Sequence, residues 1–202
     1  LNGQPHDKGL YFPSEIPTLS PEFLAGFKSA SNEKIAFDVI RPFVDGEIPD
    51  DTLFEICSET VNFDFPLVPI TERISTLELF HGPTFAFKDV GARFMSRCLR
   101  YFSKDRTEKT IVIVATSGDT GGAVAAGFHG LEGIEVVILY PKDKVSKVQE
   151  LQLTTLGGNV TTLELHGNFD DCQALAKQAL ADRDLKSKVH LTSANSINVA
   201  RW

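Results

Sequence analysis

The string His81-Gly82-Pro83-Thr84-Phe85-Ala86-Phe87 leads into one lysine, Lys88, followed by Asp89. A turn, a hydroxyl and two aromatic rings therefore precede a single amine. From Phe87 the apolar positions continue as Val90, Phe94, Cys98 and Phe102, close to a 3.6-residue repeat, and predict a helix that opens here. Lys88 falls in its first turn, where unpaired N–H groups carry partial positive charge and disfavour a cation. A neutral amine between aromatic neighbours is what condensation with a carbonyl requires. A lysine beside a helix start is, taken alone, most often a snorkelling surface residue. The weight rests on what accompanies it.

A second constellation is Thr116-Ser117-Gly118-Asp119-Thr120-Gly121-Gly122, between the β-branched run TIVIVA and an Ala/Val-rich helix. Ligands of open α/β sheets bind at such turns, beyond the carboxyl ends of the strands. The glycines permit close backbone approach, and Thr116, Ser117 and Thr120 add hydroxyls to exposed N–H groups, which makes a cradle for an anion such as an amino-acid carboxylate. The spacing is neither the dinucleotide G-x-G-x-x-G nor a Walker loop. A tight turn whose glycines serve packing alone explains the spacing equally well.

The third constellation is Ser193-Ala194-Asn195-Ser196-Ile197-Asn198-Val199-Ala200-Arg201, after a short strand at residues 190–192. Two amides, a hydroxyl and a guanidinium at a helix start suit a phosphate. A capped helix with an ordinary surface arginine is the competing reading. The five histidines, His6, His81, His129, His166 and His190, show no ligand spacing and point to no metal site.

The elements that must position these groups fall into two parts. Residues 1–70 lack strand alternation and read as short helices joined by proline-rich turns, a helical cap on the main domain. Pro13, Pro17 and Pro21 break the opening, and Ser20-Pro21-Glu22 reads as a helix start. The stretch from Ser31 to Ile40 offers Ile35, Phe37, Val39 and Ile40 to a buried side, and a helix after Pro49 offers Leu53, Ile56 and Cys57. Residues 71–202 alternate strands and helices. Strands are expected at 77–80, 110–115, 135–140, 160–165 and 190–192, the middle three as apolar runs buried on both faces of a parallel sheet. Helices are expected at 119–128, 147–155 and 168–180, the last with a stripe of Phe169, Cys172, Leu175, Ala176, Ala179 and Leu180. The fold class is α/β, a mostly parallel three-layer sheet preceded by a helical segment.

The 202 residues carry 27 acidic and 20 basic side chains, a formal net charge of −7 without a basic stripe, which argues against nucleic acid. No apolar run reaches the length of a membrane span, and no charged-then-apolar stretch opens the sequence. Three widely spaced cysteines, Cys57, Cys98 and Cys172, indicate neither a disulfide framework nor a zinc site, and fit a reducing cytoplasm.

The string HGPTFAFKD resembles the cofactor-lysine motif of the threonine synthase family, pyridoxal-phosphate enzymes of the tryptophan synthase β-like group. LYFP at 10–13, TSGDTGGAVA at 116–125 and SANSINVAR at 193–201 resemble the same family in the same order. The resemblance implies a pyridoxal-phosphate fold of type II, a Schiff base between Lys88 and pyridoxal 5'-phosphate, and Lys88 as the catalytic base. It implies Asp119 beside the cofactor's 3' oxygen, and a substrate-binding set of Thr84, Ser117, Gly118, Asp119, Thr120, Asn195, Ser196, Asn198 and Arg201. The implied substrate is O-phospho-L-homoserine, which with water gives L-threonine and phosphate. A threonine-dehydratase-like lyase, a phospho-lyase and a non-catalytic anion-binding domain are the alternatives, and oligomeric state stays open. Family members are about twice as long, so the chain is read as an N-terminal portion whose fold and site are incomplete and which is inactive by itself.

Overall fold

The computed structural model describes residues 9–44, 46–195 and 198–201. Helix α1 (Pro21–Gly26) starts where expected: the Ser20 side chain accepts from the Phe23 N–H at 3.1 Å, and Pro21 fills the first position. Helices α2 (Asn32–Ile40) and α3 (Asp50–Thr60) follow, the latter with Asp50 and Asp51 in its first turn. Leu53, Ile56 and Cys57 are buried with Ile48, and Ala36, Phe37 and Ile40 pack against them. Val39, expected inside, is exposed, because the buried face of α2 runs through 36, 37 and 40.

A hairpin follows: β1 (Leu67–Pro69) pairs antiparallel with β2 (Ser75–Leu77). The strand expected at 77–80 is therefore earlier and shorter. The chain leaves the hairpin at Glu78, whose N–H donates to the Pro66 carbonyl at 2.9 Å and whose carboxylate meets His81 at 2.6 Å. The Thr71 hydroxyl accepts from the Ile74 N–H at 3.2 Å and shapes the turn.

Helix α4 (Lys88–Ser103) begins on the lysine. Its apolar surface differs from the single expected stripe. Phe87 and Phe102 are exposed, whereas Ala92, Met95 and Leu99 are buried against the main core and Cys98 against the helical cluster of α3. A helix between two neighbours needs two apolar faces, and a single 3.6-residue stripe describes only one. Arg97 links the layers: Nε meets Glu59 of α3 at 2.9 Å, and Nη1 donates to the Gly127 carbonyl at 3.0 Å.

The remaining elements are β3 (Thr110–Ala115), α5 (Asp119–Phe128), β4 (Ile134–Pro141), α6 (Lys147–Thr154), β5 (Val160–Leu165), α7 (Phe169–Ala181), α8 (Arg183–Lys186) and β6 (His190–Ser193). The sheet is parallel in the order β5-β4-β3-β6. Period-2 alternation sends Val112, Val114, Val136 and Ile138 to one face, under α4, α5 and α6, and Ile113, Ala115 and Leu139 to the other, under α7. Right-handed crossovers require connections running in opposite directions to lie on opposite faces, as these do. In α7, Cys172 and Ala176 are buried as expected, while Leu175 is 43% exposed on the solvent side. Among the described residues no helix is long and apolar enough to cross a membrane.

The winding reverses at β3. The chain moves from β3 out to β4 and β5, then returns to β6 on the other side of β3. The loops leaving the carboxyl ends of β3 and β6 therefore flank a switch point, the usual ligand crevice of such sheets. These loops are two of the three constellations singled out from the sequence.

Candidate functional site

The turn before Lys88 is built around a buried acid. Asp89, 1% exposed, points back over its own helix start: Oδ2 accepts from the Thr84 N–H at 2.9 Å and Oδ1 from the Thr84 hydroxyl at 2.5 Å. Gly82 is required beneath it, since a Cβ there would lie 2.6 Å from Asp89 Oδ2. Phe85 takes a left-handed φ of 58° with its ring exposed, a conformation that costs a bulky residue on the order of 1–3 kcal/mol. Lys88 is thus delivered by a turn that is held shut from inside.

Lys88 keeps 27% of its side chain exposed, and its Nζ stands 3.9 Å from Asp119 Oδ2 and 4.4 Å from the Phe87 ring centroid. The sequence places Lys88 at a helix N-terminus, which disfavours a cation, and between aromatic neighbours. Folding sets the Phe87 π face against the amine and adds a carboxylate, both of which attract a cation.

The glycine-rich turn brings Asp119 to that point. Gly118 has φ +148° and ψ −102°, open to glycine alone, and it lets the chain leave β3 and enter α5 at once. The Thr116 hydroxyl, expected to face a ligand, is instead buried in the loop. It accepts from the N–H groups of Gly118 at 3.0 Å and Gly121 at 2.8 Å, and donates to the Gly118 carbonyl at 3.0 Å. Ser117 and Asp119 are exposed and Thr120 is half-buried. The N–H groups of Asp119 and Thr120 open α5, where helix geometry leaves them no intrahelical partner. A carboxylate fits this corner.

Within the third constellation, Val199–Arg201 form a 3-10 segment. Asn198 is buried, and its side chain is engaged by the backbone: Nδ2 donates to the Ser193 carbonyl at 3.2 Å and Oδ1 accepts from the Ala200 N–H at 3.1 Å. The Asn195 N–H donates to the Ser193 hydroxyl at 3.3 Å. Ser196 lies outside the described residues. Arg201 donates through Nη1 to the Ala194 carbonyl at 2.8 Å, while its buried Nε has no partner among the described residues. Burial pulls this guanidinium below its ordinary value. This segment rests on the helix of Lys88: a Cβ on Gly91 would lie 2.5 Å from the Arg201 carbonyl oxygen and 3.2 Å from its Nε.

Three contributors have roles that no motif states. Asp89 closes the lysine turn. Gln149 of α6 donates from Nε2 to Asp119 Oδ1 at 2.7 Å, and Gln152, one turn on, donates from Nε2 to the Thr84 carbonyl at 3.3 Å. A local signal existed for Gln149: Ser146-x-x-Gln149 is a capping box, and the structure forms it with both bonds. Nothing local announces that the same amide reaches a residue 30 positions away. Among the described residues no His, Cys, Asp and Glu cluster could hold a metal ion.

Residues 75–202 match the family described as pyridoxal-phosphate dependent enzyme, and residues 1–61 the one described as threonine synthase N terminus. The chain is 47% identical over 201 residues to threonine synthase of Haemophilus influenzae, covering 98% of this chain and 46% of that protein. It is 42% identical over 195 residues to threonine synthase of Escherichia coli, covering 96% and 45%. Among solved structures, pyridoxal-phosphate-bound threonine synthase from Brucella melitensis matches with a TM-score of 0.91 and 39% identity, over 98% of this chain and 44% of that one. The chain spans about half the length of the curated relatives it matches.

Proposed function

This chain belongs to the pyridoxal-phosphate dependent enzymes, and from that membership we propose that it forms the lysine-bearing part of a threonine synthase, which converts O-phospho-L-homoserine and water into L-threonine and phosphate. The observation that carries this reading is one amine and one carboxylate, Lys88 Nζ and Asp119 Oδ2, 3.9 Å apart at the switch point of a parallel sheet. The residues fit pyridoxal 5'-phosphate: a reachable lysine for its aldehyde, an acid for its phenolic oxygen, and N–H groups without intrahelical partners at the opening of α5. Its bound ring supplies an electron sink for charge developing beside the substrate's amine-bearing carbon.

The rest is the work of the protein. Lys88 holds the cofactor and is the base for the substrate. In the net reaction the Cγ–O bond to phosphate breaks, a hydroxyl is gained at Cβ, and Cγ ends as a methyl group. The hydrogens that move among these carbons and Cα need one base near all three, and that base is Lys88. Asp119 would share a proton with the cofactor's phenolic oxygen. Ser117, Gly118, Asp119 and Thr120 receive the substrate carboxylate at the opening of α5, and Thr84, its hydroxyl held by Asp89, completes the set from the lysine turn. Asn195, Ser196 and Arg201 receive the phosphate ester, with Asn198 tying Ser193 to Ala200 beside them. Helices α2 and α3 cap the outer face of α4, and the enzyme works in the cytoplasm.

The test uses the full-length protein with cofactor and O-phosphohomoserine. Phosphate and threonine should appear in equal amounts. Deamination of threonine or serine as the dominant reaction would assign the site to a dehydratase-like lyase instead.

A further inference from the structure

Lys88 and Asp119 are close without touching. Their 3.9 Å separation is about an ångström longer than a charge-assisted hydrogen bond. An acid that near an amine would ordinarily close the gap. Asp89, next in sequence to Lys88, is no competitor, since both of its oxygens are engaged by Thr84. What restrains Asp119 is its other oxygen. Oδ1 accepts from Gln149 Nε2 at 2.7 Å, and that amide is itself fixed, because Gln149 Oε1 accepts from the Ser146 N–H at 3.1 Å and from the Ser146 hydroxyl at 3.0 Å. The Ser146 N–H can only donate, so the amide cannot flip, and Nε2 must face Asp119. Gly118 leaves no slack, since a Cβ there would sit 2.3 Å from Gln149 Nε2.

We infer that Gln149 is a positioning residue that holds the Asp119 carboxylate back from a direct ion pair with Lys88, so that the amine stays available to a carbonyl. Two hydrogen-bonded links run from the cap of α6 to the carboxylate: Ser146 sets Gln149, and Gln149 sets Asp119. An amine locked in a short ion pair keeps its proton and cannot attack. An amine facing the same carboxylate at longer range is still attracted to it but makes no short hydrogen bond that must break before it attacks. The inference rests on Lys88 as the condensing amine, and its test needs neither cofactor nor turnover.

The full-length protein, free of cofactor, is acylated with a small anhydride, and the rate at Lys88 is read peptide by peptide against the other lysines. Gln149→Met keeps the side-chain length and removes the donor. It should slow acylation of Lys88 severalfold while the other lysines are unchanged, and Asp119→Asn added to Gln149→Met should restore the rate. Val148→Ala, on the exposed side of the same helix, should leave Lys88 at its original rate. If Gln149→Met does not fold, Gln149→Glu answers the same question, since its carboxylate drives Asp119 towards Lys88 and should slow acylation likewise. Wild-type acylation in the folded Gln149 variant would overturn the inference, as would a loss that Asp119→Asn does not restore. Cofactor found on another lysine would leave this restraint intact and remove only the reading on which it rests.

Discussion

Asp89 closes on Thr84 with both carboxylate oxygens, one on the backbone N–H and one on the hydroxyl, and the closed turn delivers Lys88 as the first residue of its helix. The pair spans the residues that matter most, yet neither member touches the amine. Its contribution is to stability and placement. Asp89→Ala leaves two donors unpaired at a buried site, a cost of about 3 kcal/mol. For a chain of this size that lowers Tm by roughly 6–12 °C. Asp89→Asn should cost less, because Oδ1 can still accept from the Thr84 N–H while the amide donates to the hydroxyl. Thermal unfolding of both variants checks the order.

Gly118→Ala should be among the most damaging single changes. The backbone there is open to glycine alone, and the new methyl would meet Gln149. The end of a glutamine can move aside, but only by releasing Asp119. Conformational strain costs on the order of 1–3 kcal/mol, and the Asp119 contact is lost in addition. Denaturant unfolding should show the first effect. Faster hydrogen exchange at the opening of α5 should show the second.

Arg201 is the group to alter for the substrate's phosphate. Its buried Nε is unpartnered among the described residues, and a charge-assisted contact there is worth roughly 1.5–3 kcal/mol. Arg201→Met, which keeps most of the stem, should lower kcat/KM for O-phosphohomoserine on the order of tenfold to a hundredfold. Steady-state kinetics decides, and an unchanged kcat/KM would remove Arg201 from the phosphate site.

The two thiols between α3 and α4 predict a pH dependence. Burial pushes Cys57 up to about 11 and Cys98 up to about 12, from an ordinary 9.0. In the unfolded chain they ionise first, so unfolding releases protons once the pH passes roughly 9. The stability they contribute is complete below that value and falls as pH rises towards their folded values. Melts taken through this range should decline more steeply for the native sequence than for a Cys57→Ala, Cys98→Ala double variant. Alkylation of either thiol should await unfolding.

What could be read from the sequence follows burial. The strands at 110–115 and 160–165 and the helix at 119–128 occur where their patterns place them, because β-branched runs and small-residue helices have few alternatives inside a layered sheet. The four motifs named the family that the comparisons return. The hairpin at 67–77 was invisible because its strands are three residues long and exposed, with no buried face to impose alternation. The lining of α4 was half legible: Phe94 and Cys98 lie on the expected stripe, but Ala92 and Met95 answer to a second neighbour that only the tertiary structure supplies. Thr116 and Asn198 looked like ligands because hydroxyls and amides on a loop serve backbone and substrate alike, and here both are spent on the backbone. Gln149 and Gln152 carry no local mark of the partners they reach.

Everything proposed for the site depends on Lys88 being the amine that holds the cofactor. The full-length protein is loaded with pyridoxal 5'-phosphate, reduced with borohydride, digested, and its modified peptide sequenced by mass spectrometry. The reduced pyridoxyl group should sit on Lys88, within the peptide that carries HGPTFAFKD, and be lost in Lys88→Ala. A pyridoxyl group fixed on another lysine, with Lys88 unmodified, would contradict it.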